Sequence, residues 1–246
     1  MMGSRWLLCS LCLVLVAGVA SAAQITYVDA DFNDGGNTTA TDGSTLLGLL
    51  VDGDTATSGG DGLWRLRTGL GGNGSSLYEA NGSYIGGSNT EDVPRALTTI
   101  TGLTPGATYD IYGYFVANHP DMRIGLSLSD DVGQLAVYTQ ADAGVSGSGV
   151  TQVMDADLAN FTNTVTNDNG FGTDAFYQVA LGQAVASASG TIGVYADDDV
   201  TVDRTNDGGS LRTVYEGVGY AIVPEPASFG LALIAGMALL ACRRRA

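Results

Sequence analysis

Gly102-Leu103-Thr104-Pro105-Gly106-Ala107-Thr108-Tyr109-Asp110-Ile111-Tyr112-Gly113-Tyr114-Phe115-Val116 is the stretch that decides the fold class. Pro105 and Gly106 supply a fixed φ followed by a residue free to take positive φ, which is what a tight turn needs. Beyond the turn, Tyr109, Ile111, Gly113 and Phe115 alternate with Asp110, Tyr112 and Tyr114, the period-two pattern of a β-strand. Strict alternation sends Tyr109, Ile111 and Phe115 into the core. It leaves Tyr112 and Tyr114 together on the opposite, outward face.

The same pattern recurs on both sides of this strand. Short runs rich in Val, Thr, Ile and Tyr are broken by Gly, Asn and Asp, and glycine alone accounts for 36 residues, as expected for many short strands joined by tight turns. Strands are predicted over Ile25–Val28, Leu63–Arg67, Arg95–Thr101, Thr108–Val116, Met122–Leu128, Gln134–Thr139, Ala175–Gln183, Gly190–Tyr195 and Thr213–Ile222. One helix is predicted, Met154–Thr164, with Leu158, Phe161 and Val165 on one face. Thr38–Thr45 and Asp142–Gly149 read as flexible surface loops. The expected fold class is all-β: a two-sheet β-sandwich of jelly-roll type.

This body runs from Gln24 to Val223, about 200 residues, enough for one sizeable core. Its charge is unusual. The chain has no lysine, and the body sets six arginines (Arg65, Arg67, Arg95, Arg123, Arg204, Arg212) against twenty-five acidic residues, a net of −19. Such a field disfavours nucleic acid and anionic membrane surfaces as partners and favours divalent cations. Cys9, Cys12 and Cys242 all lie in apolar termini, so the body has neither a disulfide framework nor thiol chemistry.

Two residue sets are candidate sites. In Asp29-Ala30-Asp31-Phe32-Asn33-Asp34-Gly35, Asp29, Asp31 and Asn33 alternate and Asp34 follows, as in hard-cation loops; Asp34 stands where an EF-hand loop needs glycine, and Ala40 where it needs glutamate. Asp52-Gly53-Asp54, and Asp197-Asp198-Asp199 followed by Asp203, Asn206 and Asp207, form further clusters. Either a structural Ca²⁺ binds such a cluster, with Asp29, Asp31, Asn33, Asp34, Asp197 and Asp199 as candidate ligands, or these are solvated aspartates that start turns and protect sheet edges. The second set is Tyr112 and Tyr114 with Arg65 and Arg67: side chains able to stack on sugar faces and hydrogen-bond hydroxyls, or simply to pack across strands. Trp64 reads as core.

Catalytic constellations are weaker. His119 is the only histidine, no Gly-x-Ser-x-Gly elbow stands in a strand–turn–helix context, and zinc lacks ligands. Two of the many carboxylates could hydrolyse a glycoside, which depends on spatial separation.

The termini carry the clearest signals. Residues 1–23 read as a secretory signal peptide: Arg5, an apolar core from Trp6 to Val19, and Ala20-Ser21-Ala22 as the small-x-small cleavage pattern. Cys9-Ser10-Leu11 before Cys12 is a poor lipobox. Residues 223–246 form a second module after the domain at 24–222. Pro224-Glu225-Pro226 disfavours helix and holds the backbone extended. Ala227–Cys242 is apolar or small throughout, roughly 24 Å as a helix against a hydrocarbon core of ~30 Å. Arg243-Arg244-Arg245 places the tail in the cytoplasm by the positive-inside rule. The module is a plain membrane anchor or an address label.

Val223-Pro224-Glu225-Pro226, the apolar segment and the terminal arginines resemble the PEP-CTERM sorting domain of Gram-negative bacteria, over about a tenth of the chain. The resemblance implies processing by an inner-membrane exosortase, a transient membrane intermediate, delivery to the cell surface or extracellular space, and a role in exopolysaccharide or biofilm matrix. Pro224, Glu225, Pro226, Arg243, Arg244 and Arg245 are then the sorting residues. Leu103–Tyr109 is similar to the turn-plus-tyrosine start of fibronectin-type strands and of strands in galactose-binding-like modules; the late strands are more similar to the latter, a resemblance that implies a closing strand, Val214–Ile222, beside the first one. Leu63-Trp64-Arg65-Leu66-Arg67-Thr68, Tyr78-Glu79-Ala80-Asn81-Gly82 and Arg212-Thr213-Val214-Tyr215-Glu216-Gly217-Val218 resemble surface proteins of planctomycete-like bacteria, which implies fold and habitat but no activity. The expected function is a structural or interaction role in the matrix. The alternatives are a module binding matrix polysaccharide and, third, a glycoside-active enzyme.

Overall fold

The structure is a computed structural model that describes residues 24–30, 36–43, 64, 95–117, 122–166, 175–197 and 214–224. It also describes the backbone of 47–50, 65–68 and 75–78, with the side chain of Leu77. Among the described residues thirteen strands form two sheets: β1 (Thr26–Asp29), β2 (Thr38–Ala40), β3 (Leu47–Leu50), β4 (Arg65–Thr68), β5 (Ser75–Tyr78), β6 (Ala96–Ile100), β7 (Thr108–Ala117), β8 (Arg123–Ser127), β9 (Ala136–Thr139), β10 (Val150–Gln152), β11 (Ala175–Val185), β12 (Ile192–Asp197) and β13 (Val214–Ile222). The larger sheet runs β10-β11-β7-β13-β5-β4-β3, with β1 also on β13; the smaller runs β2-β6-β12-β8-β9. Every pair is antiparallel except β3 with β4. The protein is all-β, with two sheets packed face to face.

The alternation read from the sequence positions the interior. Tyr109, Ile111 and Phe115 of β7 are buried and face the smaller sheet. A Cβ on Gly113 would lie 2.6 Å from Cδ1 of Leu126 on β8, so glycine is what lets the sheets close up at that point. From the smaller sheet, Thr98, Ile100, Ile124, Leu126 and Val194 complete the core, and Trp64 is fully buried as expected.

β13 organises the larger sheet. One edge pairs with β7 from Ile222↔Tyr109 to Tyr215↔Phe115. The other edge is shared between β1, from Thr26↔Tyr220 to Asp29↔Gly217, and β5, through Val214↔Tyr78 and Tyr215↔Leu77. The changeover falls on a bulge at Glu216, followed by Gly217 at φ 148°. There a side chain would run into the carbonyl oxygen of Val28, so the register shift requires glycine. The first strand thus lies beside the last, as anticipated.

All nine predicted strands are present, with ends shifted by a few residues; Gln134 belongs to a 3₁₀ turn, Val132–Gln134, before β9. Two expectations are corrected, and the expected surface connection at Asp142–Gly149 is present. Residues 38–40 form β2 rather than the start of a loop: Thr38 and Ala40 are buried, but three residues are too few to register as periodic. Asp142–Gly149 is a connection held by hydrogen bonds, with Ser148 Oγ donating to the carbonyls of Asp142 at 2.7 Å or Val145 at 2.9 Å. The helix expected over Met154–Thr164 is a 3₁₀ segment, Asp155–Asn160, that gives way to extended chain at Phe161. It stops because Phe161 and its neighbours pair with the residues before β1: Ile25 N–H donates to Asn160 O at 2.9 Å, and Thr162 N–H to Ile25 O at 2.8 Å.

The predicted signal segment and nearly all of the predicted tail lie outside the described residues. Among the described residues no helix is long and apolar enough to cross a membrane.

Candidate functional site

The outer face of the larger sheet is not left to water. Residues 155–165 cross it as a strap over β1, β7 and β11. Asn163 fastens the strap by pairing its carboxamide with the Tyr27 peptide in both directions: Tyr27 N–H donates to Oδ1 at 3.0 Å, and Nδ2 donates to Tyr27 O at 2.8 Å. Within the strap, Phe161 and Val165 are buried. Beneath it Tyr27, Tyr114, Phe161 and Phe176 form a second small core, with the rings of Tyr114 and Phe176 stacked at 5.3 Å and those of Tyr27 and Tyr114 edge-to-face at 5.2 Å. Such pairs contribute about 0.5–1.5 kcal/mol each beyond burial.

This packing corrects the expected outward tyrosine pair. Tyr114 has no exposed surface. Its hydroxyl donates to Oε1 of Gln178 at 2.9 Å, and burial, then its neighbour Tyr112, pushes its pKa well above the usual tyrosine range. Tyr112, two residues nearer the start of β7, lies beyond the strap and is half-buried. Burial, then the Asp110 carboxylate, raises its pKa.

Where the strap meets the sheet a groove of about 530 Å³ remains. Tyr112 and Gln178 come from β7 and β11, Gln152 from the edge strand β10, Asp157 and Asn160 from the 3₁₀ segment, and Gln24 from the residues before β1. Ile25, Val153 and Phe161 supply its apolar surface. Two of the polar groups are held in place. The Gln178 carbonyl is occupied by Tyr114, which leaves its NH₂ for a ligand. Asp157 Oδ2 accepts the Met154 N–H at 2.9 Å, capping the 3₁₀ segment and leaving Oδ1 as an acceptor. Among the described residues the lining contains no Arg, Lys or His.

No protein-family model, curated protein or solved structure matches this chain.

Of the predicted sugar-binding set, Tyr112 lines the groove and Tyr114 is buried. Arg65 and Arg67 are on β4, with backbones paired to Tyr78 and Ser76; their side chains lie outside the described residues. Of the predicted calcium ligands, Asp31, Asn33, Asp34 and Asp199 lie outside the described residues. Asp29 ends β1, where its carboxylate is 3.2 Å from the Tyr27 hydroxyl and its carbonyl accepts from Asn37 at 2.7 Å. Asp197 is buried at the end of β12, 3.5 Å from Arg95 Nε. Among the described residues no three His, Cys, Asp or Glu side chains gather to hold a metal ion. Pro224 is exposed just past β13, while Glu225, Pro226 and Arg243, Arg244 and Arg245 lie outside the described residues.

The sequence reading missed Gln24, Gln152, Asp157, Asn160 and Gln178. Only the apolar spacing of Leu158, Phe161 and Val165 hinted at a segment lying on something. Glu216 also escaped notice: its side chain is buried at the bulge, and its carbonyl accepts the Tyr27 hydroxyl at 2.7 Å.

Proposed function

We propose that this is an exported structural or interaction protein of the cell surface or extracellular matrix, delivered through its C-terminal tail and processed by an exosortase. The observation that supports this best is where β13 ends. Ile222 pairs with Tyr109, the Val223 N–H donates to Thr108 O at 3.0 Å, and the next residue, Pro224, is exposed. Proline has no N–H with which to extend the ladder. The Pro224-Glu225-Pro226 segment therefore starts at the surface of the sandwich, where a processing enzyme reaches extended chain without unfolding the body. We read that body as a galactose-binding-like jelly roll, a reading supported by the pairing of its first and last strands. Glycoside hydrolysis draws no support from the groove, whose described lining residues include a single carboxylate, Asp157, where that chemistry uses two about 5–10 Å apart.

Fractionating cells that express the full chain tests the reading. The wild-type protein is expected in the surface or medium fraction, shortened by its tail. The Glu225→Ala variant and the variant with Arg243, Arg244 and Arg245 all changed to alanine are expected uncut in the inner membrane. Normal release of both variants would reduce the tail to an ordinary hydrophobic terminus.

A further inference from the structure

We propose that the groove between the strap and the outer face of the larger sheet binds an uncharged glycan segment. Tyr112 would stack on one pyranose ring, with Gln152, Asp157 and Gln178 hydrogen-bonding its hydroxyls. This rests on the reading of the protein as an exported interaction protein and names its ligand.

The chemistry of the lining selects the ligand class. A volume of about 530 Å³ falls within the ~300–1,000 Å³ range of small-ligand sites. One half-buried aromatic side chain meets the apolar face of a sugar, which needs a flat partner but no charge. Around it stand four carboxamides, from Gln24, Gln152, Asn160 and Gln178, and one carboxylate. Each carboxamide offers donors and acceptors together, and the carboxylate accepts from two vicinal hydroxyls. None of the described lining residues is cationic, so a uronate, sulfate or phosphate would meet the Asp157 carboxylate with no counter-charge from them, inside a body already net negative. A purely apolar ligand would strand the amides without partners. An uncharged polyol satisfies both constraints.

The site is also preorganised. The Tyr114 hydroxyl fixes the Gln178 carboxamide from below, the Met154 N–H fixes Asp157, and the Asn163 clamp holds the strap that carries Asp157 and Asn160. Two of the five polar side chains are thus ordered before ligand arrives, which lowers the cost of binding.

The test is affinity electrophoresis of the full chain in a sugar-free detergent, through gels containing dextran, soluble starch, β-glucan or galactan, with alginate and polygalacturonate as acidic counterparts. At least one neutral polymer is expected to retard the protein, and both acidic polymers to leave it unretarded. Tyr112→Ala should weaken retardation at least 10-fold, and Gln152→Ala, a side chain on the sheet edge, about 3-fold or more, with both variants keeping the wild-type circular dichroism spectrum. If Tyr112→Ala fails to fold, Gln152→Ala and Asp157→Asn decide instead. Retardation by no neutral polymer, equal retardation by alginate, or folded variants that bind like wild type would each overturn the proposal. A correctly exported protein that binds no glycan would overturn the groove assignment and leave export standing. Glycan binding by a protein that stays inside the cell would do the reverse.

Discussion

The hydroxyl of Tyr215 on β13 donates to Oγ1 of Thr98 on β6, 2.8 Å away across the interior, and both residues are fully buried. With that proton committed, the remaining directions follow. Thr98 donates to Thr38 on β2 at 3.0 Å, Thr38 donates to Asn37 Oδ1 at 2.8 Å, and Asn37 Nδ2 donates to the Asp29 carbonyl at 2.7 Å. The chain leaves the larger sheet, crosses two strands of the smaller one and returns to the larger sheet at β1.

Tyr215→Phe is expected to lower unfolding free energy by about 1–2 kcal/mol, since it removes the leading donor from a buried chain. Thr98→Val should do about the same. Because the two act on one network, the double variant should fall short of the sum. Urea titrations measure all three, and strict additivity would show that the bonds act independently.

Gly217→Ala should be far more damaging than Gly106→Ala. Both residues have positive φ, but a Cβ at Gly106 meets nothing within 4 Å, whereas at Gly217 it collides with the Val28 carbonyl at the β1–β13 seam. We expect about 1 kcal/mol for the first and about 3 kcal/mol or more for the second. Equal losses in thermal or urea unfolding would mean the bulge relaxes without penalty.

Asn163→Ala removes the clamp on the strap. Two hydrogen bonds to the Tyr27 peptide are lost, for an expected loss of about 2–3 kcal/mol, and hydrogen exchange at the Tyr27 amide should speed up sharply. An unchanged exchange rate at that amide would show that the aromatic packing of Phe161 alone holds the strap.

Alkaline pH should unfold the protein through its buried tyrosines. Burial comes first in raising Tyr27, with Asp29 and then Glu216 adding to it; Tyr114 and Tyr215 are also raised chiefly by burial. Their folded pKa values lie above the unfolded value of about 10, so the unfolded chain releases these protons first. The stability this confers is complete below pH ~10 and disappears as pH rises through the higher folded values. Absorbance at 295 nm followed with circular dichroism checks this: the buried tyrosines should ionise only as the native signal is lost. Ionisation of all eleven tyrosines near pH 10 in a still-native protein would contradict it.

What the sequence determined by itself was local. Period-two alternation over Tyr109–Phe115, the turn at Pro105-Gly106 and the distribution of Val, Thr and Tyr placed nine strands, because strand formation reads neighbours one and two residues away. Charge, the absence of lysine, and the positions of the cysteines were equally legible, since they depend on composition alone. The strands β2, β3, β5 and β10, three or four residues each, were missed: so short a segment draws much of its stability from partners distant in sequence, and of the four-residue strands only β1, β4 and β9 were legible.

Tertiary structure decided the rest. Tyr112 and Tyr114 sit on one strand with the same side chain and parity, yet one lines a groove and the other is sealed in a core. The difference is made by residues 155–165, some fifty positions along the chain, whose strap covers one tyrosine and stops short of the other. The same strap turns an apparent helical face into a 3₁₀ turn with extended chain, since bonds to Ile25 and Tyr27 outweigh a weak local preference. Alternation determines which side of a sheet a residue occupies. Whether that side is wet depends on which distant segment is laid across it.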